Sequence, residues 1–217
     1  MGTMVIIDKR LKSIIAEIQG HILVDVGCDH GKVPCQALIE NKVDKVIAVD
    51  ISDKSLQKCR DLAHKLNLNN IDFRCSDGLT SIHDEELDNV VIAGIGGYEI
   101  IKILKDSNRD INKLILCPHQ DVEKLRDYLK DHYLIEKDYC VYQDDHFYSL
   151  IVAKTGKTNL STKELILGKD SITNSDYVEY LNFVKNKYEK ILLNKIPDDR
   201  RNECIEILDL VEKELNG

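Results

Sequence analysis

The chain lacks several features that would set its class at once. No run of roughly 18 consecutive apolar residues occurs, so nothing in the sequence reads as a membrane-spanning helix, and no membrane partner is expected. Asp8, Lys9, Arg10, Lys12 and Glu17 interrupt the apolar positions of the first twenty residues, which argues against a signal peptide and for a cytoplasmic protein. Metal-ligand spacing is missing too. The seven cysteines, Cys28, Cys35, Cys59, Cys75, Cys117, Cys140 and Cys204, form no Cys-x-x-Cys pair, and the seven histidines form no His-x-x-x-His pair. Reduced cysteines serving as small core residues, with no disulfide framework and no metal, are the expectation. An excess of positive charge is also absent. Lys and Arg total 30 against 38 Asp and Glu, a formal net charge of −8. A uniformly acidic surface repels phosphates, so a nucleic-acid partner requires a local basic face.

What is present is the composition of a globular protein, 43% apolar and 31% charged over 217 residues. That length suits one domain of ordinary size and a small appendage. After a first helix over about Lys9–Ile18, short apolar runs alternate with amphipathic stretches. Strands are predicted at Ile22–Val26, Lys45–Val49, Ile71–Cys75, Val90–Ala93 and Lys113–Cys117. The helices between them begin near Lys32, Asp53 and Gly97, and another runs from about Asp121 to His132. Two close strands follow, near Leu134–Tyr142 and Phe147–Lys154. Strand–helix alternation predicts an α/β fold with a mostly parallel, doubly wound sheet, and the last pair suits an antiparallel hairpin on its edge.

Composition shifts after Lys154. Thr155–Ser161 is polar, contains Gly156 and reads as a linker. Beyond it, Tyr177, Leu181, Val184 and Tyr188 share one helical stripe. Ile205, Leu208, Val211 and Leu215 share a second, after Pro197-Asp198-Asp199. Two amphipathic helices joined by a short turn predict a helical hairpin, either projecting as a small coiled coil or lying on the main domain.

The strongest local signal is Asp25-Val26-Gly27-Cys28-Asp29-His30-Gly31, between a strand and a helix. Glycines there allow a tight turn and a close approach of backbone to ligand. A dinucleotide fingerprint needs further glycines where Asp29 and Lys32 stand, so it fails twice. The methyltransferase pattern acidic-x-Gly-x-Gly-x-Gly is met at Asp25, Gly27 and Gly31 and departs at Asp29. S-adenosylmethionine has no pyrophosphate, and its sulfonium and amino groups favour acidic neighbours such as Asp25 and Asp29. Asp50, with Ile51 after it, closes the second strand, where a carboxylate can accept ribose hydroxyls. Asp77 and Gly78 follow the third, where an acid can accept an adenine amino group. The fourth ends in Ala93-Gly94-Ile95-Gly96-Gly97, where bare backbone gives a flat base room beside the methyl donor.

The stretches Asp-Val-Gly-Cys-Asp-His, Ala-Gly-Ile-Gly-Gly and Leu-Ile-Leu-Cys-Pro-His together resemble the bacterial tRNA (adenine22-N1)-methyltransferase family. That family's first motif usually reads Asp-Ile-Gly-Ser-Asp-His-Ala-Tyr-Leu-Pro, matched here at Asp25, Gly27, Asp29, His30 and Pro34. Gly31 and Lys32 stand where Ala and Tyr are usual, and Cys117-Pro118-His119 where Gln-Pro-Asn is usual. The resemblance covers nearly the whole chain. It implies a Rossmann-like methyltransferase domain over 1–154, a C-terminal helical hairpin or coiled coil over 155–217, S-adenosylmethionine as cofactor and tRNA as partner.

Under that reading Asp25, Gly27, Asp29, Asp50, Ile51, Asp77, Gly78, Ala93 and Gly94 are the candidate cofactor residues. Asp29 and His30 are the candidate catalytic pair, stabilising the cationic product ring or accepting its amino proton. Gly94, Gly96, Gly97, Tyr98 and His119 are candidates for the base, Tyr98 as a stacking surface. Lys154, Lys157, Lys185, Lys187, Arg200 and Arg201 are candidates for RNA, or alternatively a solvated helix face. A methyltransferase for a small molecule or protein, and a non-catalytic RNA-binding module on the same fold, are the competing readings. Nothing assigns an oligomeric state, and a monomer is the working expectation.

Overall fold

The computed structural model describes residues 5–216. A seven-stranded sheet organises them in the order β3-β2-β1-β4-β5-β7-β6. The five parallel strands are β1 (Ile22–Val26), β2 (Lys45–Asp50), β3 (Ile71–Cys75), β4 (Asn89–Ala93) and β5 (Lys113–Cys117). Four of them, β1, β2, β4 and β5, are buried along nearly their whole length, as continuous apolar runs covered on both faces should be. The helices α1 (Lys9–Glu17), α2 (Lys32–Ile39) and α3 (Asp53–Lys65) cover one face, and α4 (Gly97–Ser107) and α5 (Val122–His132) the other.

Local chemistry sets the helix boundaries. Asp8 accepts the Leu11 amide at 2.8 Å to start α1, and Ser52 accepts the Ser55 amide at 3.3 Å to start α3. Asn108, in the left-handed region, ends α4. The strand order reverses between β1 and β4, so the carboxyl edge opens into a crevice there.

The last two strands are β6 (Tyr133–Gln143) and β7 (His146–Thr155), with β7 inserted antiparallel between β5 and β6. Asp144 and Asp145 make the two-residue turn with φ of 50° and 60°, the primed geometry that matches strand twist. Leu116 pairs with Ile151, so the β6–β7 turn overhangs the carboxyl edge of the parallel strands.

Residues 155–160, read from sequence as part of a linker, are tied down. The Thr158 amide donates to the Lys130 carbonyl at 2.9 Å, the Gly156 amide to that of His132 at 3.2 Å, and Thr158 Oγ1 accepts the Ile135 amide at 2.6 Å. A short helix absent from the sequence reading follows, α6 (Thr162–Leu167), entered through a Ser161–Glu164 capping box. The terminal hairpin is α7 (Ser175–Leu192) and α8 (Asp198–Asn216). Tyr177, Leu181, Val184, Ile207 and Val211 pack together and against Cys140, Phe147 and Leu167. Its root therefore lies on the β6–β7 ribbon, while Leu193 at its turn is 87% exposed.

Candidate functional site

A cavity of about 740 Å³ opens at the carboxyl edge of the sheet, over the ends of β1, β2 and β4 and the loop after β3. Every candidate cofactor residue lines it: Asp25, Gly27, Asp29, Asp50, Ile51, Asp77, Gly78, Ala93 and Gly94. Their convergence follows from topology, since parallel strands deliver their following loops to one edge.

Gly27 and Gly94 have φ of 78° and 79°, and a Cβ on either would meet nothing within 4 Å. Both therefore present bare backbone to open space, one from each side of the switch point. Gly31 serves a different purpose. With φ of 70°, a Cβ there would lie 2.4 Å from the Cys59 sulfur and 2.9 Å from its Cα, so glycine lets α2 start against α3.

Asp25 is 5% exposed and makes no ion pair among the described residues. Burial, seconded by the Asp50 carboxylate, raises its pKa to about 7. A buried acid that faces the cavity with no cation paired to it is matched to a cationic ligand group. Asp50 accepts the Ser52 amide at 2.8 Å and, at 3.4 Å, that of Asp29, which fixes its carboxylate at the β2 end. Asp77 lies 3.8 Å from Lys102 and is exposed. A Cβ on Gly78 would press on Ile103 at 3.1 Å, so this turn is shaped by α4.

Asp29 has a φ of 38°, and its carboxylate faces Lys58 at 3.0 Å and the His30 ring at 3.4 Å. Both Asp29 and His30 line the cavity, on the side where α3 and β2 meet. Gly96, Gly97, Tyr98 and His119 are not among the lining residues. A Cβ on Gly97 would strike the Asp121 carbonyl oxygen at 2.5 Å, and one on Gly96 the Gln120 amide nitrogen at 3.1 Å. These glycines let two loops interlock, with the Gly97 amide donating to Gln120 and the His119 amide to Ile95. Of the three glycines after β4, only Gly94 opens on the cavity. Tyr98 and His119 are exposed beside it.

Five charged cavity residues escaped the sequence reading: Asp8, Arg10, Lys32, Glu99 and Lys102. Asp8 and Arg10 belong to the start of α1, and no spacing along the chain connects them to the strand ends. The candidate RNA cations are mostly engaged by acids. Lys154 pairs with Glu136 at 2.5 Å, Lys185 with Glu212 at 3.0 Å and Arg200 with Glu203 at 2.5 Å. Lys157 and Lys187 are exposed, and Arg201 reaches the Asn194 carbonyl at 3.4 Å. No cluster of metal-ligating side chains occurs among the described residues, and no helix there is long and apolar enough to cross a membrane.

This strand order, with glycines and three acids at successive strand ends, defines a methyltransferase fold. Residues 7–151 match the model of the methyltransferase domain family, and the chain belongs to that family. It is 27% identical to the tRNA (adenine(22)-N(1))-methyltransferase of Bacillus subtilis strain 168, over 95% of this chain and 94% of the relative. Among solved structures it is similar to M. capricolum TrmK in complex with S-adenosyl-homocysteine. That match has a TM-score of 0.85 and 28% identity, and covers 97% of this chain and 98% of that one. A putative tRNA (m1A22) methyltransferase of Streptococcus pneumoniae shares the fold, with a TM-score of 0.87 at 24% identity over 97% and 100% of the two chains.

Proposed function

We propose that the protein is an S-adenosylmethionine-dependent tRNA methyltransferase that methylates N1 of adenine 22. The observation that carries this reading is the extent of the likeness to the Bacillus subtilis enzyme. It includes the terminal helices, not only the cofactor-binding half that many methyltransferases share. A tRNA substrate also makes a cytoplasmic, monomeric enzyme the simplest expectation.

The cavity fits the cofactor on its own chemistry, because a buried, unpaired Asp25 suits an ammonium or sulfonium group. Asp50 is placed for hydroxyl donors, and Asp77 for an adenine amino group. Gly27 and Gly94 leave backbone exposed where a ligand chain must pass. When bound, S-adenosylmethionine supplies an electrophilic methyl group on a sulfonium.

Adenine N1 carries its own lone pair, so the protein need not deprotonate it before attack. The chain's work is orientation in a dry site, which can be worth several kcal/mol. We assign the base to the rim built by Gly94 and the interlocked 94–98 and 118–121 loops, with Tyr98 and His119 beside it. Asp29 and His30 are the candidates for stabilising the cationic product or taking its amino proton. The RNA backbone would run from this edge toward Lys187 and Arg201 on the hairpin, while Lys157, past the end of the antiparallel β7, lies at the opposite edge of the sheet. Lys154, Lys185 and Arg200 would join only by exchanging their acidic partners for phosphates.

Methyl transfer from labelled S-adenosylmethionine to two unmodified tRNAs, one with A22 and one with that base replaced, tests the reading. Label in the first alone, recovered as 1-methyladenosine, is the expected result. Equal labelling of both would move the target elsewhere, and labelling of neither by a protein that binds cofactor would favour a non-RNA acceptor.

A further inference from the structure

Three of the buried cysteines meet behind the turn that follows β1. Cys59, on α3, has its thiol in hydrogen-bonding contact with both Cys28, in that turn, and Cys35, on α2. The backbone is close there too, since a Cβ added to Gly31 would lie 2.9 Å from the Cys59 Cα. Cys28 stands where the related family's first motif usually has serine, and Gly31 where it has alanine. Both departures face Cys59, so the second thiol and the space for it occur together.

The three sulfurs differ in access. Cys28 lines the cavity and is 7% exposed, whereas Cys35 and Cys59 are 0% exposed and take no part in the lining. A small oxidant entering the cavity therefore meets Cys28 first, with Cys59 directly behind it. Contact with Cys59, burial and the nearby Asp25 all raise the Cys28 thiol above its ordinary range. Its reaction is accordingly slow and calls for an excess of oxidant.

We propose that Cys28 and Cys59 form an oxidative modification site, which hydrogen peroxide closes into a disulfide that weakens cofactor binding. The Cys28 thiolate attacks one peroxide oxygen, the O–O bond breaks, and the departing hydroxide takes up the thiol proton as water. The Cys59 sulfur then attacks the Cys28 sulfenic acid. An S–S bond forms as the S–O bond breaks, and the Cys59 proton leaves with the hydroxyl as a second water. In sum, two thiols lose two electrons and one peroxide is reduced to two waters.

The new bond draws the sulfurs to about 2 Å, closer than two thiols in contact. The turn yields rather than α3, which is held by its Ser52 cap and by Leu56 in the core. The Gly27 and Cys28 amides both donate to the Val49 carbonyl, at 2.8 and 3.2 Å, and the Asp29 amide to Asp50 at 3.4 Å. Moving Cys28 toward α3 disturbs these bonds, and with them Gly27, Asp29 and Asp50 of the cavity. This consequence rests on the cavity being an S-adenosylmethionine site, while the thiol chemistry does not.

The test treats the full chain, Cys59→Ala and Cys28→Ser with hydrogen peroxide, alkylates the remaining thiols and maps the peptides by mass spectrometry. S-adenosyl-homocysteine is titrated into each protein before and after. The cofactor-free wild type should yield a Cys28–Cys59 bridge within one chain. S-adenosyl-homocysteine at ten times its Kd should slow that bridge about 10-fold, by covering Cys28. The bridged protein should bind S-adenosyl-homocysteine about 10-fold more weakly or worse, the scale of a displaced site, and dithiothreitol should restore it. Cys59→Ala should form no bridge and leave Cys28 as a sulfenic acid that dimedone traps. Cys28→Ser should keep through peroxide whatever affinity it starts with. A bridge between Cys35 and Cys59, bridges only between chains through the exposed Cys75, or a Cys28–Cys59 bridge with unchanged affinity would overturn the proposal. So would a loss of affinity in oxidised Cys28→Ser, which would pass the effect to another thiol. If Cys59→Ala fails to fold, the wild-type map and Cys28→Ser decide. Because the bridge is mapped without cofactor, a protein that bound none would remove the reading of the cavity and leave the disulfide result standing.

Discussion

Arg126 and Asp138 meet in a buried bidentate ion pair, Nε to Oδ2 at 2.7 Å and Nη2 to Oδ1 at 3.0 Å, with the residues 3% and 4% exposed. The same guanidinium donates to the Ser149 hydroxyl and to the Leu165 and Ile166 carbonyl oxygens. One side chain of α5 thereby ties both strands of the ribbon to α6, at the point where the sheet hands over to the terminal hairpin. Removing one partner leaves a buried charge without compensation. Arg126→Met should cost about 3–5 kcal/mol of stability in a chemical unfolding experiment. Arg126→Met with Asp138→Leu should cost less, and a double variant as unstable as the single one would contradict this account.

Asp25 makes cofactor binding depend on pH. Its pKa of about 7 lies above the ordinary 3.8, so the folded, cofactor-free protein retains a proton that the unfolded chain gives up between those values. This group's contribution to stability therefore falls as pH rises from 3.8 to about 7 and is level above. A cationic ligand favours the ionised form, so affinity for S-adenosylmethionine should rise with pH up to about 7, by at most ~10-fold per unit. Asp25→Asn should bind weakly at every pH and show no such slope, as titrations at pH 6 and pH 8 can establish.

Gly31 cannot become the alanine usual in the related family without a cost particular to this chain. The added Cβ would fall 2.4 Å from the Cys59 sulfur and 2.9 Å from its Cα, at a φ of 70°. Gly31→Ala should lower stability by about 1–3 kcal/mol. Cys59→Ala should restore only part of that loss in thermal unfolding, since the contact with the Cα remains.

Gly97→Ala should separate cofactor binding from turnover. The methyl would meet the Asp121 carbonyl oxygen at 2.5 Å and push apart the loops after β4 and β5. Neither Gly97 nor Asp121 lines the cavity. Equilibrium binding of S-adenosyl-homocysteine should stay within about twofold of wild type, while kcat falls by 10-fold or more, the scale of a misplaced reaction geometry. Equal loss of both would show that the two loops support the cofactor instead.

Much of the fold was legible because its signals are local. Strands β1, β2, β4 and β5 fall within a residue of where the apolar runs predicted them, since a strand buried on both faces must be apolar throughout. The acids Asp25, Asp50 and Asp77 could be placed together because parallel strands end on one edge whatever the loop lengths. The six-residue α6 was not legible, being too short to show a helical period. Residues 155–160 read as a linker because polarity marks a turn-rich segment, but it does not reveal bonds to Lys130, His132 and Ile135.

By itself the sequence determined the α/β order, the acidic strand ends and the methyltransferase resemblance. All of these follow from periodicity and from motifs contained within a few residues. Tertiary structure alone decided the rest. It put Arg10 beside Tyr148 and Cys117, residues more than a hundred positions apart in the chain. It gave Gly96 and Gly97 to loop packing and Gly94 to the cavity, and it set Glu136, Glu212 and Glu203 against three of the candidate RNA cations. Each of these depends on where a side chain meets a partner from another element. A linear pattern records residue type and spacing, and neither carries the distance between surfaces that only packing brings together.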